Sequence, residues 1–124
     1  MGYLLLYEYT PSSTGGGNVE AYLRSDDSFT LGGFTLKPTF TSSTPSSVDI
    51  AVGSITAGAG FLASTNTQSK VISGFSTGAG VASSTRNGVQ GYWVKLATYA
   101  LSQEPGYNVG ISTVINAGDF FLPN

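Results

Sequence analysis

Two similar stretches decide the fold prediction: TAGAGFLAST at residues 56–65 is followed by STGAGVASST at residues 76–85. Each copy contains Gly-Ala-Gly, at 58–60 in the first and at 78–80 in the second. Apolar residues precede each copy, so we interpret each as the end of a strand, a bend of small residues and an exposed polar loop. Two copies are too few for a solenoid, which needs at least three stacked units. The pair therefore predicts β-structure with a doubled small-residue bend.

Alternation of apolar and polar residues predicts strands along most of the chain. The predicted strands are Tyr3–Tyr9, Val19–Arg24, Val48–Gly53, Ser69–Phe75, Gly91–Leu101, Tyr107–Asn116 and Phe120–Leu122. Pro38–Ser47 is polar and contains two prolines, which predicts a long loop across one end of the fold. Turns are predicted at residues 26–27, at Arg86-Asn87-Gly88 and at residues 104–106.

Two segments allow alternative interpretations. Phe29–Leu36 repeats Phe-Thr-Leu around Gly32-Gly33, which fits either a hairpin or one strand with a bulge at the glycines. Gly91–Leu101 is the longest predicted strand, with Tyr92, Val94 and Leu96 on one face and Trp93, Lys95, Ala97 and Tyr99 on the other. A short helix over Lys95–Ser102 is the competing prediction.

About eight strands and no clear helix predict an all-β fold, an antiparallel sandwich or barrel. Eight strands would also allow a jelly roll, but the order of the strands does not follow from the sequence. At 124 residues the chain is predicted to form one domain, residues 1–124.

The composition argues against several functions. The chain has no cysteine and no histidine, so disulfides, thiolate chemistry, zinc sites and His-dependent catalysis are not expected. Five basic residues against seven acidic ones build no phosphate-binding patch, so nucleic-acid binding is not expected. No run of apolar residues is long enough to predict a membrane span. The segment Leu4-Leu5-Leu6 lacks the features of a signal peptide. We expect no enzyme activity and no cofactor.

Four groups of residues are weighed as candidate sites. Asp26-Asp27-Ser28 offers oxygen ligands for calcium, but a turn explains it as well. Trp93, Tyr92 and Tyr99 form a candidate platform for stacking on a sugar ring, with core packing as the alternative. The Gly-Ala-Gly bends are candidates for phosphate binding, but they lack the Lys-Ser/Thr that follows the glycines of a phosphate-binding loop. Glu8 and Asp119 could serve as the two carboxylates of a glycosidase, but nothing in the sequence distinguishes this pair from other carboxylate pairs.

The chain resembles the small virion proteins of tailed bacteriophages, namely head decoration (cement) proteins and the distal domains of fibres and spikes. The residues that carry the resemblance are the Gly-Ala-Gly repeats at 58–60 and 78–80, the Ser/Thr-rich segments at 41–47 and 64–69, and the segment FFLPN at 120–124. The resemblance implies a non-enzymatic structural subunit, often trimeric, made in the host cytoplasm and located in the virion. Its partners would be copies of itself and a major capsid or tail protein. A carbohydrate- or receptor-binding β-sandwich is the alternative.

Self-association is predicted from the scarcity of charge and from two apolar segments. Charged residues make up 10% of the chain, against about 25% in an average soluble domain. Apolar side chains occupy both faces of the first and last predicted strands, and a small sandwich buries only one face of a strand. The predicted contact residues are Tyr3, Leu5, Tyr7, Phe120, Phe121 and Leu122.

Overall fold

The computed structural model of the protein describes residues 3–12, 16–42, 48–102, 109–115 and 118–122. These residues form twelve strands and no helix. The strands are β1 Tyr3–Thr10, β2 Asn18–Ser25, β3 Gly33–Leu36, β4 Pro38–Ser42, β5 Val48–Asp49, β6 Ala51–Ala57, β7 Phe61–Asn66, β8 Val71–Ser76, β9 Ala82–Arg86, β10 Val89–Ser102, β11 Val109–Thr113 and β12 Phe120–Phe121. Every pairing between them is antiparallel.

The long strand β10 is the centre of the first sheet, which we call sheet A. Its order is β1-β2-β10-β6, and β9 pairs with the first part of β10 on the same edge that β6 uses further along. A shift in register with β2 falls between Lys95 and Ala97, so Leu96 is an extra residue in β10. Such a bulge bends a strand and redirects the side chains that follow it.

Two smaller sheets cover the other side of the core. Sheet B has the order β12-β3-β8-β7, and sheet C has the order β11-β4-β5. Lys37 alone separates β3 from β4, so these two strands carry the chain directly from sheet B into sheet C. β5 and β6 are likewise separated only by Ile50, which joins sheet C to sheet A and donates its backbone N–H to the Phe40 carbonyl at 2.8 Å.

The hydrophobic core draws side chains from all three sheets. The Phe40 ring of sheet C meets the Tyr99 ring of sheet A edge to face, with centroids 5.1 Å apart, and Phe34 meets Phe61 in the same way at 5.1 Å within sheet B. The buried core residues are Val19, Ala21, Leu23, Leu31, Phe34, Leu36, Phe40, Ile50, Val52, Phe61, Ile72, Val94, Leu96, Ala97, Tyr99 and Leu101. The all-β, sandwich-like prediction is confirmed, with more strands than the eight expected.

The loop predicted from Pro38 to Ser47 is wrong over its first half, which is strand β4. Pro38 and Phe40 are buried while Thr39 and Thr41 are exposed, and this alternation is that of a strand with one face on the core. Pro38 is the first residue of β4, a position that tolerates the missing N–H. Residues 43–47 lie outside the described part of the chain.

Both interpretations of Phe29–Leu36 are wrong, because the strand begins only at Gly33. Gly32 lies just before β3 and is hydrogen-bonded on both sides: its N–H donates to the Phe121 carbonyl at 2.7 Å, and its carbonyl accepts the Ser76 N–H at 2.8 Å. The two glycines therefore lead the chain into the middle of sheet B instead of turning it back. Leu31 is buried without belonging to a strand.

The polar halves of the two similar stretches are strands, not the predicted loops. β7 and β9 follow the two bends, and most of their residues are exposed, because β7 is an edge strand of sheet B and β9 pairs only with β10 in the described sheets. A Ser/Thr-rich sequence is compatible with such exposed positions. The competing helix over Lys95–Ser102 is also wrong, since those residues belong to β10.

The turn predicted at Asn87-Gly88 is confirmed. It is the two-residue connection between Arg86 and Val89, which pair with each other in the β9–β10 hairpin. The φ angles of Asn87 and Gly88 are both positive, as a type I′ turn requires at its two central positions. The predicted strand from Tyr107 is observed as β11, Val109–Thr113, and residues 103–108 lie outside the description.

Candidate interaction surface

A row of large apolar side chains crosses all four strands of sheet B. Leu62 of β7 is paired with Phe75 of β8, Phe75 is paired with Gly33 of β3, and Gly33 is paired with Phe121 of β12. Residues directly opposite each other in antiparallel strands place their side chains on the same face. Leu62, Phe75, Gly33 and Phe121 therefore form one line across the sheet, which we call the apolar row.

The apolar row lies on the face of sheet B that is turned away from the core. Its three side chains are 56%, 58% and 63% exposed, in the order Leu62, Phe75 and Phe121. Phe61 precedes Leu62 on β7 and Phe34 follows Gly33 on β3, and both are buried on the opposite face. Single exposed apolar residues are ordinary, but a contiguous group on one sheet face is typical of a contact surface.

Gly33 leaves a gap in this row between two phenylalanines. A Cβ at Gly33 would lie 2.9 Å from the Gly74 carbonyl oxygen and 3.8 Å from the Phe75 Cβ, so a side chain here would crowd β8. Because strands are about 4.8 Å apart, Phe75 and Phe121 stand roughly 10 Å apart on either side of the glycine. The result is a slot with a backbone floor and a phenyl ring on each wall.

A polar row runs beside the apolar row. Ser64, Ser73 and Thr35 are paired across β7, β8 and β3, and the Thr35 and Ser73 hydroxyl oxygens are 3.1 Å apart, within hydrogen-bond distance. Beyond it is an open pocket of about 360 Å³. The pocket is lined by Thr35, Lys37, Thr39, Val71, Ser112, Val114 and Asp119. One cation and one anion line it, so this side of the surface is close to neutral.

The structure separates the six contact residues predicted from the sequence. Phe121 is exposed and belongs to the apolar row, whereas the other five are partly buried against the core. Those five are Tyr3, Leu5, Tyr7, Phe120 and Leu122. The Tyr3 ring, for example, meets the Phe29 ring edge to face at 5.4 Å, and the Tyr7 hydroxyl is hydrogen-bonded to the Thr113 hydroxyl. On β1 the exposed large apolar side chain is that of Leu4, at 49%.

The three residues predicted to stack on a sugar do not form one platform. Trp93 is 5% exposed and Tyr99 is 0% exposed, so neither ring offers a face to a ligand, and Tyr92 is half-buried. The prediction that Trp93 and Tyr99 share a face of β10 is wrong. The bulge at Leu96 changes the alternation, so that Tyr99 joins Val94 in the core while Trp93 lies on the outer face of sheet A.

The outer face of sheet A is covered by the β9–β10 hairpin. The Arg86 guanidinium lies 4.1 Å from the centroid of the Tyr22 ring and 3.4 Å from the Glu8 carboxylate. The Trp93 ring meets Tyr22 edge to face at 6.0 Å, and its indole N–H donates to the Ser84 carbonyl at 3.1 Å. The aromatic rings of this face are therefore covered, unlike those of the apolar row.

Charges on sheet A are arranged in pairs. Glu8 and Glu20 are directly opposite each other on β1 and β2, an arrangement that is repulsive unless cations compensate it. Arg86 is paired with Glu8, and Lys95 is paired with Glu20. The hydrogen bond from Lys95 holds the pKa of Glu20 below its ordinary value, against the opposing effect of partial burial. These pairs stabilise the sheet and leave its face with little net charge.

The remaining sequence candidates have local structural partners. Asp26 forms an ion pair with Arg24 at 2.7 Å, and the Asp27 N–H donates to the Ser25 hydroxyl at 3.3 Å. Within the described ranges, no three His, Cys, Asp or Glu side chains cluster as metal ligands would. Glu8 lies on sheet A, whereas Asp119 lines the pocket on sheets B and C. No helix in the described ranges is long and apolar enough to cross a membrane.

We expect Tyr99→Phe to stabilise the protein by about 1 kcal/mol, because the Tyr99 hydroxyl is buried and has no hydrogen-bond partner among the described residues. Burial also raises the pKa of that hydroxyl far above its ordinary value. Tyr7→Phe is the matched control: it removes the hydrogen bond to Thr113 and should destabilise by about 1 kcal/mol. Urea denaturation of both variants measures the two effects, and a loss of stability in Tyr99→Phe would contradict the expectation.

Sequence reasoning identified one residue of the apolar row, Phe121, and missed Leu62, Phe75 and Gly33. Phe75 was predicted in a strand and Gly33 in a glycine pair, whereas Leu62 was assigned to the exposed loop that follows the first Gly-Ala-Gly bend. What joins them is the register between strands that are far apart in the chain, and no local pattern carries that information.

Comparison with known proteins adds no further assignment: no family model matches the chain, and neither a curated protein nor a solved structure is significantly similar to it.

Proposed function

We propose that this protein is a non-enzymatic structural subunit that works in an assembly of many copies, and that the apolar row is one of its contact surfaces. The observation that carries the proposal is the row itself, three large side chains more than half exposed on one sheet face. Water contact with this much clustered apolar surface is unfavourable, and burying it against another protein removes that cost.

The resemblance to phage virion proteins gives the assembly its proposed setting. Head decoration and fibre subunits are all-β proteins that act through contacts with copies of themselves and with a capsid or tail protein. The low proportion of charged residues agrees with a subunit whose surface is covered in the assembly. We therefore propose the virion as the location, and a major capsid or tail protein as the second partner.

Sedimentation velocity over a range of concentrations tests self-association, with one matched pair of variants. Leu62→Ser removes an exposed leucine of the apolar row, and Leu4→Ser removes an exposed leucine of sheet A. If the row is a contact surface, Leu62→Ser should raise the dissociation constant at least about tenfold, since each copy loses part of a leucine burial worth roughly 1.5–3 kcal/mol when complete. Leu4→Ser should leave the constant unchanged.

Two results would contradict the proposal. One is a wild-type protein that sediments as a monomer at every concentration up to the millimolar range. The other is an equal loss of association in both leucine variants, because the contact would then not be specific to the apolar row.

A further inference from the structure

We infer that the apolar row contacts the same row of a second copy across a two-fold axis, with Phe75 of each copy entering the Gly33 slot of the other. The inference rests on the proposed function and specifies the partner and geometry of that contact. It follows from the order of the four positions of the apolar row across sheet B. Leu62 and Phe75 carry large side chains, Gly33 carries none, and Phe121 carries a large one.

This order is complementary to itself under one rotation. Suppose two copies of sheet B face each other, related by a two-fold axis that runs parallel to the strands between β8 and β3. The rotation reverses the order of strands, so Phe75 lies over Gly33 of the second copy, and Leu62 lies over Phe121. Each large side chain then meets either the slot or another apolar side chain, and all four positions of the row are matched.

The other in-plane rotation packs badly. A two-fold axis perpendicular to the strands would keep the order of strands and place Gly33 over Gly33. The two slots would then face each other and leave a void, while Phe75 would collide with Phe75. Protein interfaces pack as densely as interiors, so a void bordered by colliding rings is disfavoured.

The neighbouring polar residues agree with the same axis. Ser73 of one copy faces Thr35 of the other, so the hydroxyl groups of these two residues meet across the contact. Lys37 and Asp119 together give this part of the face no net charge, so two copies meet without repulsion between like-charged surfaces.

The area of the face fits a specific but modest contact. Four strands at about 4.8 Å, the longest of them six residues at about 3.3 Å, give a face of at most roughly 19 Å by 20 Å. A standard interface covers about 800 Å² of accessible surface per partner, and a side-chain-covered face of this size falls at or below that value. Such a contact suits a surface that is repeated in a larger assembly and reinforced by other contacts.

Cysteine cross-linking tests the geometry, because the chain has no cysteine of its own. Leu62→Cys and Phe121→Cys are made as separate variants, and a short bismaleimide is added to each variant alone and to their mixture. Leu62 and Phe121 are three strands apart within one copy, about 14 Å, but face each other between copies in the inferred arrangement. We expect cross-linked dimer in the mixture at several times the yield of either variant alone.

The outcomes separate the inference from the proposed function. Strong cross-linking of Leu62→Cys with itself would indicate the perpendicular axis and overturn the inference. Absence of cross-linking in the mixture, at a concentration at which both cysteine variants associate by sedimentation, would also overturn it, while leaving self-association as proposed. A wild type that never associates would overturn both. If Leu62→Cys does not reach the wild-type melting temperature, Ser64→Cys, an exposed position on the same face of β7, replaces it.

Discussion

Gly58→Ala should destabilise the protein by about 3 kcal/mol or more, and Gly80→Ala should change its stability by less than about 0.5 kcal/mol. Gly58 is buried against β10, where its N–H donates to the Leu96 carbonyl at 2.8 Å. A Cβ at Gly58 would lie 2.8 Å from the Lys95 carbonyl carbon and closer still to its oxygen. Because the obstacle is backbone, β10 itself would have to move to admit a methyl group.

Gly80 is the matched control because it belongs to the second Gly-Ala-Gly, which is the counterpart of the one that contains Gly58. Nothing lies within 4 Å of a Cβ at Gly80, and its φ is outside the left-handed region. Thermal unfolding followed by circular dichroism compares the two variants. Equal losses of stability would show that Gly58 does not lie against β10 in the way described.

Leu5→Ser and Phe121→Ser should have opposite consequences, although both residues were predicted as contact residues from the sequence. Leu5 is partly buried against the core, so its replacement should lower the free energy of unfolding by roughly 2–3 kcal/mol. Phe121 is mostly exposed in the apolar row, so its replacement should raise the dissociation constant of self-association at least about tenfold. The effect of each variant on the other property should be small.

Urea denaturation measures stability and sedimentation measures association for the same two samples. If association falls equally in both variants, at concentrations where both are folded, Leu5 is part of the contact surface after all. A large loss of stability in Phe121→Ser would instead give that ring a role in the fold of sheet B.

The parts of the fold that depend on short-range pattern were predictable. The Asn87-Gly88 turn follows from positive φ at two adjacent positions, and the β1 and β2 segments follow from their composition. The β4 strand was missed because Pro38, Pro45 and the polar residues between them favour a loop in isolation. Burial of Phe40 against Tyr99 outweighs that local preference.

The candidate surface was less predictable than the fold, for a different physical reason. Strict alternation along β10 would place the side chains of Tyr99 and Trp93 on the same face of sheet A. One extra residue, Leu96, places them on opposite faces. Nothing local in the sequence marks the bulge. In the same way, the two Gly-Ala-Gly copies look equivalent, but the first packs against β10 and the second meets open space at both of its glycines.

The position of β12 along the chain sets the moment at which the apolar row comes into existence. Leu62, Phe75 and Gly33 belong to strands made early, whereas Phe121 comes later than β10, the central strand of sheet A. At about 5–20 residues per second, synthesis of the segment between Phe75 and Phe121 takes several seconds. During that time the growing chain lacks Phe121, which is one of the two walls of the slot. In the contact proposed above, Phe75 of a second copy therefore finds both walls of the slot only once β12 has been made.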